Sequence, residues 1–263
     1  MSKLQDTVVL ITGAAGGFGQ EMARQFLQAG SRVVLTDLDK GALEALVVEI
    51  RQTIHTGKVL GCIAGDLSTA EGCQQLFEGV QALGQHVDIL VNNAGIAQFG
   101  RFDEVPAEKW ELLVQINLLA PMRLSHLFIP GMIERRRGHI VNISSLAGWI
   151  GSRGLTSYTA SKFGLRGFGE ALSDELKPHN VQVTNAYPFF SRTPILDSPS
   201  YGTLERAPQS ERMFTEPEEV IQQVIKGIRN NQLHVFPDRM AKIAHLIRRF
   251  IPRALPYITN RKG

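Results

Sequence analysis

The stretch VVLITGAAGGFG at residues 8–19 joins an apolar run to a cluster of glycines. The run Val8–Ile11 predicts a strand buried on both faces, because such strands are continuously apolar. From Gly19 to Ala29 the apolar residues recur at helical spacing, so a helix is expected directly after the glycines. A strand, a glycine turn and a helix in this order are typical of a βα unit that binds a nucleotide.

Short apolar runs and helical patterns alternate along the rest of the chain. Strands are predicted at Val8–Ile11, Arg32–Thr36, Val59–Ala64, Ile89–Val91, His139–Ile143, Val181–Ala186 and Leu233–Phe236. Helices are predicted at Gly19–Ala29, Leu43–Ile54, Glu71–Leu83, Ala107–Arg135, Tyr158–Leu176, Pro217–Asn230 and Met240–Ile251. This alternation predicts an α/β protein: a single-domain, Rossmann-type, doubly wound parallel sheet with helices on both faces. Within the single domain 1–263, the Pro-, Ser- and Gly-rich residues 189–214 are expected to form an irregular substrate lid.

The composition suits a globular protein with a sizeable core, since 43% of the 263 residues are hydrophobic and 20% are charged. The formal net charge of +3 is too small to favour nucleic acid as a partner. The two cysteines and seven histidines do not occur at metal-ligand spacing, so no metal is expected. The N-terminal apolar run is too short for a signal peptide, and no uninterrupted apolar stretch has the roughly 18 residues of a membrane span. A cytoplasmic location is therefore predicted.

Two features at the N-terminal end point to a dinucleotide. Glycines between the first strand and the first helix permit a tight turn and bring the backbone, with its free N–H groups, close to a pyrophosphate. Asp37 directly follows the second strand, where a carboxylate accepts hydrogen bonds from an adenosine ribose and repels a 2′-phosphate. Its neighbour Leu38 offers no cation to a phosphate. These residues predict NAD rather than NADP, although a helix cap is the alternative role for Asp37.

Tyr158 and Lys162 are four residues apart on a predicted helix and therefore share one face. A tyrosine hydroxyl has an ordinary pKa of about 10, so it needs a nearby cation to act as a base near neutrality. Ser145 lies just past the end of the strand His139–Ile143, where open α/β sheets place their sites. A tyrosine and a lysine at this spacing are usually an ordinary surface pair, so the argument depends on their combination with the glycine loop.

The chain resembles the short-chain dehydrogenase/reductase family. The residues that carry the resemblance are the TGxxxGxG loop Thr12–Gly19, Asp66-Leu67, Asn92-Asn93-Ala94-Gly95, Asn117, Ser145 and Tyr158-x-x-x-Lys162. With Thr193 they extend over most of the fold, and together they form a highly specific combination.

The resemblance implies roles for four catalytic residues. Tyr158 would be the acid or base, and Ser145 would polarise the substrate carbonyl. Lys162 would bind the nicotinamide ribose, and Asn117 would hold a water in a proton relay through Lys162 to Tyr158. The implied activity is an NAD(H)-dependent interconversion of an alcohol and a ketone or aldehyde. A non-redox enzyme or a non-catalytic dinucleotide-binding protein on the same scaffold is the alternative.

The resemblance also extends the cofactor site. Asp66 and Leu67 would flank the adenine, and Asn93–Gly95 would pack beside the cofactor. The expected cofactor-binding residues are Gly13, Gly16, Gly17, Phe18, Gly19, Asp37, Leu38, Asp66, Leu67, Asn93, Ala94, Gly95, Tyr158, Lys162, Pro188 and Thr193.

The chain departs from the family pattern after the sixth strand. Pro188 and Thr193 match, but Phe189 replaces a glycine, and a phenylalanine would be strained in a conformation that suits glycine. Phe189 and Phe190 are expected to lie near the nicotinamide or the lid, either lining the substrate pocket or packing together in the core. The expected substrate-facing residues are Ser145, Ile96, Leu155, Phe189 and Phe190, with Phe99, Leu146, Trp149 and Ile150 nearby.

These mostly apolar residues predict a hydrophobic, largely uncharged substrate, with Arg153 and Arg192 as the possible exceptions. The helical extension at 239–263 resembles the C-termini of family members that act on steroids and other lipids. Its helix Met240–Ile251 is amphipathic and basic, so 240–251 could contact a membrane surface, cover a pocket or pack on a partner subunit. The long helices predict a homodimer or a homotetramer.

Overall fold

The computed structural model describes residues 4–207 and 210–250. Its strands are β1 (Val8–Thr12), β2 (Arg32–Asp37), β3 (Lys58–Ala64), β4 (Ile89–Asn92), β5 (Phe99–Gly100), β6 (Gly138–Ile143), β7 (Val181–Ala186), β8 (Phe190–Ser191), β9 (Ser200–Tyr201), β10 (Phe214–Thr215) and β11 (His234–Val235). Its α-helices are α1 (Gly17–Gln28), α2 (Lys40–Thr53), α3 (Ala70–Ala82), α4 (Ala107–Val114), α5 (Ala120–Glu134), α6 (Thr156–Leu176), α7 (Pro217–Arg229) and α8 (Arg239–Phe250).

Seven of the strands form one parallel sheet in the order β3-β2-β1-β4-β6-β7-β11. The chain adds β2 and β3 on one side of β1, and then continues on the other side from β4 onward. The direction of the connections therefore changes between β1 and β4, which leaves a crevice at their carboxyl ends. This arrangement confirms the predicted single α/β domain with a doubly wound parallel sheet.

Helices cover both faces of the sheet, as predicted. On one face, buried side chains of α1, α2 and α7 pack with those of β1 and β2. On the other, α3, α5 and α6 pack over the central strands. The inner strands β1 and β4 are buried along their whole length. Strand β3 differs: its residues are half-buried or exposed, because it is the edge strand.

The predicted helix Ala107–Arg135 is interrupted by a π-helical turn at Gln115–Leu119. Single π-helical turns inside α-helices often mark functional sites. By length and composition the whole stretch Ala107–Glu134 could cross a membrane, although charged and polar residues interrupt its apolar runs. It packs instead as part of the domain, because α5 buries Leu124 and Phe128 in the core beneath the sheet.

The segment 189–214 is more regular than predicted. Strand β8 pairs with β10, which joins the two ends of the segment to each other, and β9 in its middle pairs with β5. The predicted C-terminal helix is present as α8, while its predicted last residue, Ile251, lies outside the described residues.

A row of asparagines crosses the buried centre of the sheet. Asn92, Asn142 and Asn185 occupy adjacent register positions on β4, β6 and β7. The Asn92 amide donates to Asn142 Oδ1 at 2.9 Å, and the Asn142 amide donates to Asn185 Oδ1 at 3.0 Å. Hydrogen bonds between the side chains offset part of the desolvation of these amides, although Asn92 Oδ1 and Asn185 Nδ2 have no partner among the described residues. The same bonds fix the relative positions of the strands that precede the site.

Candidate active site

The glycine loop after β1 is packed tightly against the loop after β4. Gly13 has φ +63°, a left-handed conformation that a glycine adopts without strain. A Cβ added to Gly13 would lie 2.8 Å from the Cα of Ala94, and one added to Gly19 would lie 2.0 Å from the Gly13 carbonyl oxygen. A side chain at Gly13 would therefore push the two loops apart, and one at Gly19 would displace the glycine loop from the start of α1.

Hydrogen bonds connect the same two loops. The Thr12 hydroxyl oxygen accepts from the backbone amides of Asn93 and Ala94, each at 3.0 Å. The Asn93 side chain donates to the carbonyl oxygens of Thr12 and Gly13 at 2.9 and 3.0 Å. Asn93 therefore lies at the crevice and holds the glycine loop in place, in the position where a cofactor-contacting residue was predicted.

The first turn of α1 has no capping side chain. Gly16 is the N-cap residue and makes no side-chain cap bond. A Cβ on Gly17 would lie 2.6 Å from Thr193 Cγ2, so the absence of a side chain at this position lets Thr193 approach the helix N-terminus. Phe18, by contrast, is partly buried and packs on the core. The N-terminal amides and the helix dipole at this point suit an anionic group.

The structure excludes the helix-cap role for Asp37, because another residue caps α2. Its carboxylate accepts from the amide of Ala15 in the glycine loop at 2.9 Å and from the amide of Leu38 at 2.8 Å. The helix cap is Asp39, which accepts from Ala42 N at 3.0 Å. Leu38 is 72% exposed. Asp37 thus lies beside the glycine loop at the carboxyl end of β2, with carboxylate lone pairs still available for further donors.

Asp66 and Leu67, the two residues predicted to flank the adenine, differ in burial. Asp66 is exposed, and its Oδ1 accepts from Ser68 N at 2.8 Å, while Leu67 is buried under α3.

Three of the predicted catalytic side chains meet where β6 ends and α6 begins. The Ser145 hydroxyl forms a side-chain hydrogen bond with Tyr158. Lys162 Nζ lies 5.6 Å from the centre of the Tyr158 ring and donates to the Ile143 carbonyl oxygen at 2.9 Å. A Cβ added to Gly95 would lie 3.5 Å from Lys162 Nζ, so the loop after β4 forms the opposite wall.

Asn117, the fourth predicted catalytic residue, lies on the π-helical turn and is fully buried. Its side chain accepts from Ile96 N and donates to the Ile96 carbonyl oxygen, both at 2.9 Å. It also donates to Ser161 Oγ at 3.3 Å, one residue before Lys162. Asn117 therefore links the loop after β4 to α6 and completes the cluster.

Burial shifts the pKa values of Tyr158 and Lys162 in this cluster. It raises the pKa of the Tyr158 hydroxyl above 10, partly offset by the hydrogen bond with Ser145. Lys162 is 4% exposed, and burial lowers the pKa of its amine from 10.5 to about 8. Desolvation disfavours the charged forms of both groups. At neutral pH the cluster thus holds a protonated tyrosine beside a buried cation.

The predicted substrate side is apolar, but two expectations about it need correction. Phe189 does not have a positive φ, so it takes the place of a glycine without strain. Its ring lies 4.3 Å from that of Phe190, and both are half-buried, as are Ile96 and Leu155. Trp149 packs against the rings of Tyr187, Phe236 and other aromatic residues on the side of α8, instead of facing the substrate.

The loop between Pro188 and Thr193 is attached by residues that the sequence did not identify. The Pro188 carbonyl oxygen accepts from Leu146 N at 2.8 Å, next to Ser145. The Phe189 amide donates to Asp238 Oδ2 at 2.8 Å. No sequence pattern connects Asp238 with a residue almost fifty positions earlier, although its place just before a predicted helix is typical of an N-cap.

A second missed residue is Gln98, which is buried and donates to Ser157 Oγ at 3.0 Å, immediately before Tyr158. Arg192, considered as a clamp for a substrate carboxylate, is instead paired with Glu211 and Glu216. Within residues 4–207 and 210–250, no group of three or more His, Cys, Asp or Glu side chains is placed to hold a metal ion.

Known proteins resemble the chain in both sequence and structure. The family model described as short chain dehydrogenase matches residues 7–200. The dehydrogenase/reductase SDR family member 7B of Xenopus tropicalis is 34% identical over 234 residues, which are 86% of this chain and 75% of the relative. The 3-ketodihydrosphingosine reductase of Bos taurus is 34% identical over 227 residues, covering 83% and 67%. A short-chain dehydrogenase from Sphingobium yanoikuyae, solved with NADPH, is 27% identical, with a TM-score of 0.79 and coverage of 98% and 96%.

The buried amine predicts a pH-dependent stability. Because the pKa of Lys162 is lower in the folded state, the unfolded chain binds more protons between pH 8 and 10.5, and stability rises with pH in that window. Lys162→Met removes the buried charge but also the bond to Ile143. We expect its free energy of unfolding at pH 7 to exceed that of the parent by about 1–2 kcal/mol, a difference that disappears toward pH 10.

Denaturant unfolding of both proteins at several pH values between 7 and 10 measures this difference. Lys58→Met on the exposed β3 edge is the control and is expected to show no pH-dependent difference. Parallel stability curves for the parent and Lys162→Met would show that Lys162 titrates at its ordinary pKa.

Proposed function

Because the chain belongs to the short-chain dehydrogenase/reductase family of oxidoreductases, we propose that it interconverts an alcohol and a ketone or aldehyde on a hydrophobic small molecule, with NAD(H) as its cofactor. The observation that carries this proposal is the convergence of Ser145, Tyr158, Lys162 and Asn117 on one end of the sheet, next to the glycine loop.

The residues present fit a dinucleotide. The first turn of α1 has no side-chain cap, so its amides are available to a pyrophosphate. The glycines let neighbouring residues close in around this turn, Ala94 at Gly13 and Thr193 at Gly17. Asp37 at the end of β2 would accept from a ribose, and Asn93 and Thr193 border the same crevice. When bound, the nicotinamide supplies or accepts the hydride.

The chain's own residues would move the proton. In the reducing direction the carbonyl oxygen of the substrate receives a proton from Tyr158, whose raised pKa keeps that proton in place at neutral pH. The Ser145 hydroxyl is close enough to Tyr158 to bond the same oxygen and polarise the carbonyl. In the oxidising direction the alcohol proton passes to the phenolate, which the neighbouring Lys162 cation stabilises.

The proposed substrate is hydrophobic and uncharged. Ile96, Leu155, Phe189 and Phe190 supply apolar surface beside the cluster, and the charge of Arg192 is balanced by glutamates. One relative is named for the reduction of 3-ketodihydrosphingosine, a ketone with a long alkyl chain, which fits the same class.

The choice of NAD rests on residues of this chain, since the Sphingobium structure was solved with NADPH. Asp37 and the cap residue Asp39 place two carboxylates around the end of β2. Leu38 lies between them, and Lys40 is 3.7 Å from Glu44. A 2′-phosphate here would meet negative charge before it met a cation.

We also propose a cytoplasmic homodimer or homotetramer assembled through the α4–α5 helices and α6. Leu112 on α4 and Met122 on α5 are each 39% exposed on the outer side of this layer. Apolar side chains of this kind on long helices suit an isologous contact. Leu112→Asp should therefore reduce the sedimentation coefficient to that of a smaller species, whereas Val48→Asp, on exposed α2, should leave it unchanged. A parent protein that sediments as a monomer at micromolar concentration would contradict this assembly.

Tyr158→Phe tests the proposed chemistry. Removal of the hydroxyl should lower kcat/KM by about 10²–10⁴-fold and leave NADH affinity within about threefold, because the hydroxyl acts on the substrate proton. The assay follows NADH absorbance with apolar ketones and alcohols of increasing chain length. Tyr187→Phe, which removes a buried hydroxyl bonded to His234, is the matched control and should retain activity. NADH binding without turnover of any substrate in the parent would favour a non-catalytic dinucleotide-binding protein.

Asp37→Ser tests the cofactor. Loss of a charged acceptor should weaken NADH binding about tenfold or more, and loss of the repulsion should reduce the preference for NADH over NADPH. Fluorescence titration with both cofactors measures the two affinities. Asp39→Asn removes the same charge two residues away and keeps an N-cap, so it should leave NADH affinity within about twofold and raise NADPH affinity less than Asp37→Ser does. Tighter binding of NADPH than NADH by the parent would overturn the assignment.

A further inference from the structure

Helix α8 has one face in the core and one face in solvent. On the inner face Ala241 is fully buried and the His245 ring stacks on Phe236 with centroids 4.1 Å apart. The outer face carries Ile243, Leu246 and Phe250, which are 38%, 52% and 70% exposed. The positions i, i+3 and i+7 align these three large apolar side chains along one stripe.

The charge of the chain is concentrated at the same end. Residues 239–263 contain seven Lys or Arg and no Asp or Glu, so residues 1–238 carry a formal net charge of −4. The seven cations are Arg239, Lys242, Arg248, Arg249, Arg253, Arg261 and Lys262. In the structure Arg239 and Lys242 are both exposed on the first turns of α8. Residues 239–263 are therefore a basic segment at the end of a chain that is otherwise acidic.

A cavity of about 290 Å³ opens beside this helix, between α7, β11 and α8. Lys226 and Lys242 line it together with His234 and the amides of Gln223 and Gln232, and no described carboxylate residue belongs to its lining. Two ammonium groups and two amide donors around an open cleft suit an oxyanion such as a phosphate.

We propose that α8 is a docking surface for anionic phospholipid membranes. Ile243, Leu246 and Phe250 enter the boundary between headgroups and acyl chains, while Arg239 and Lys242 lie among the headgroups. The lysine-lined cleft receives a headgroup phosphate. A second copy of the chain is the less favourable occupant, because an isologous contact would place two basic segments against each other.

Docking in this orientation would bring the candidate active site close to the lipid. Asp238, immediately before α8, accepts from Ala241 N through one oxygen and from Phe189 N through the other. The docked helix is thereby joined to the loop that borders the proposed substrate site. The docking itself is independent of the proposed activity and is measured without substrate.

Co-sedimentation of the full-length protein with vesicles tests the proposal. We expect binding to phosphatidylcholine vesicles that contain about 30% phosphatidylserine at about 0.15 M salt, at least about tenfold weaker binding to phosphatidylcholine alone, and release at about 0.5 M salt. Equal binding to both kinds of vesicle, or to neither, would overturn it.

Two variants separate the apolar and electrostatic contributions. Leu246→Ser should weaken binding to the anionic vesicles at least about fivefold, and the double variant Arg239→Gln/Lys242→Gln at least about tenfold. Val48→Ser and Lys58→Gln change an exposed apolar and an exposed basic residue away from α8 and should bind like the parent. NADH affinity and thermal midpoint confirm that each variant is folded.

Sedimentation without lipid tests whether a second copy of the chain, instead of a membrane, covers the outer face of α8. If Leu246→Ser changes the oligomeric state and leaves vesicle binding unaltered, the outer face of α8 is a subunit interface and the membrane proposal is wrong. If the oligomeric state is unaltered and vesicle binding falls, the proposal stands.

Discussion

Two loops from different strands form one cofactor crevice only if they are held together, and the Thr12 hydroxyl does this at the point where β1 and β4 end. It accepts from the amides of Asn93 and Ala94 in a position that is 1% exposed. Without that acceptor the amides would lose a partner in a place that water reaches poorly, at a cost of about 1–3 kcal/mol each. With it, Gly13 turns directly against Ala94, and α1 begins just after this turn with no side-chain cap on its first amides. The positions of Asp37 and of the tyrosine cluster are defined relative to this junction.

The cluster on α6 is organised around a buried cation that destabilises the fold. Lys162 lies at a depth where its amine is easier to deprotonate by more than two orders of magnitude, and its described hydrogen bond is to the Ile143 carbonyl oxygen. A methionine would fill similar space without that cost. Nothing in the packing of α6 requires a charge at this position, whereas a phenolate of Tyr158 would require one. The chain thus accepts a local loss of stability at the place where the proposed reaction moves a proton, as functional sites commonly do.

The parts of the site that depend on local sequence could be predicted, and the parts that depend on distant contacts could not. Apolar runs and helical spacing place the seven strands of the main sheet and the α-helices within a few residues, because strands buried on both faces are continuously apolar and amphipathic helices leave a periodic signal. The two-residue strands β5, β8, β9 and β10 leave no such signal. The π-helical turn was missed because it accompanies the bonds between Asn117 and the backbone of Ile96, twenty-one residues away. Trp149 was assigned to the substrate side because it follows Ser145 in sequence, yet its ring meets Tyr187 and others from the opposite direction. The nearness of Asp37 to the glycine loop was predictable, but its bond to that loop was not.

In the C-terminal extension a single side chain, that of Asp238, bonds two separate parts of the chain. Asp238 is almost fully buried, and a buried carboxylate is tolerable only with donors to its oxygens. One donor is the first turn of α8 and the other is the backbone of Phe189, so the helix and the loop share a single anchor. A displacement of α8 along its axis would break either the cap or the loop bond. A surface that binds the outer face of this helix is therefore connected through Asp238 to the loop that borders the proposed substrate site.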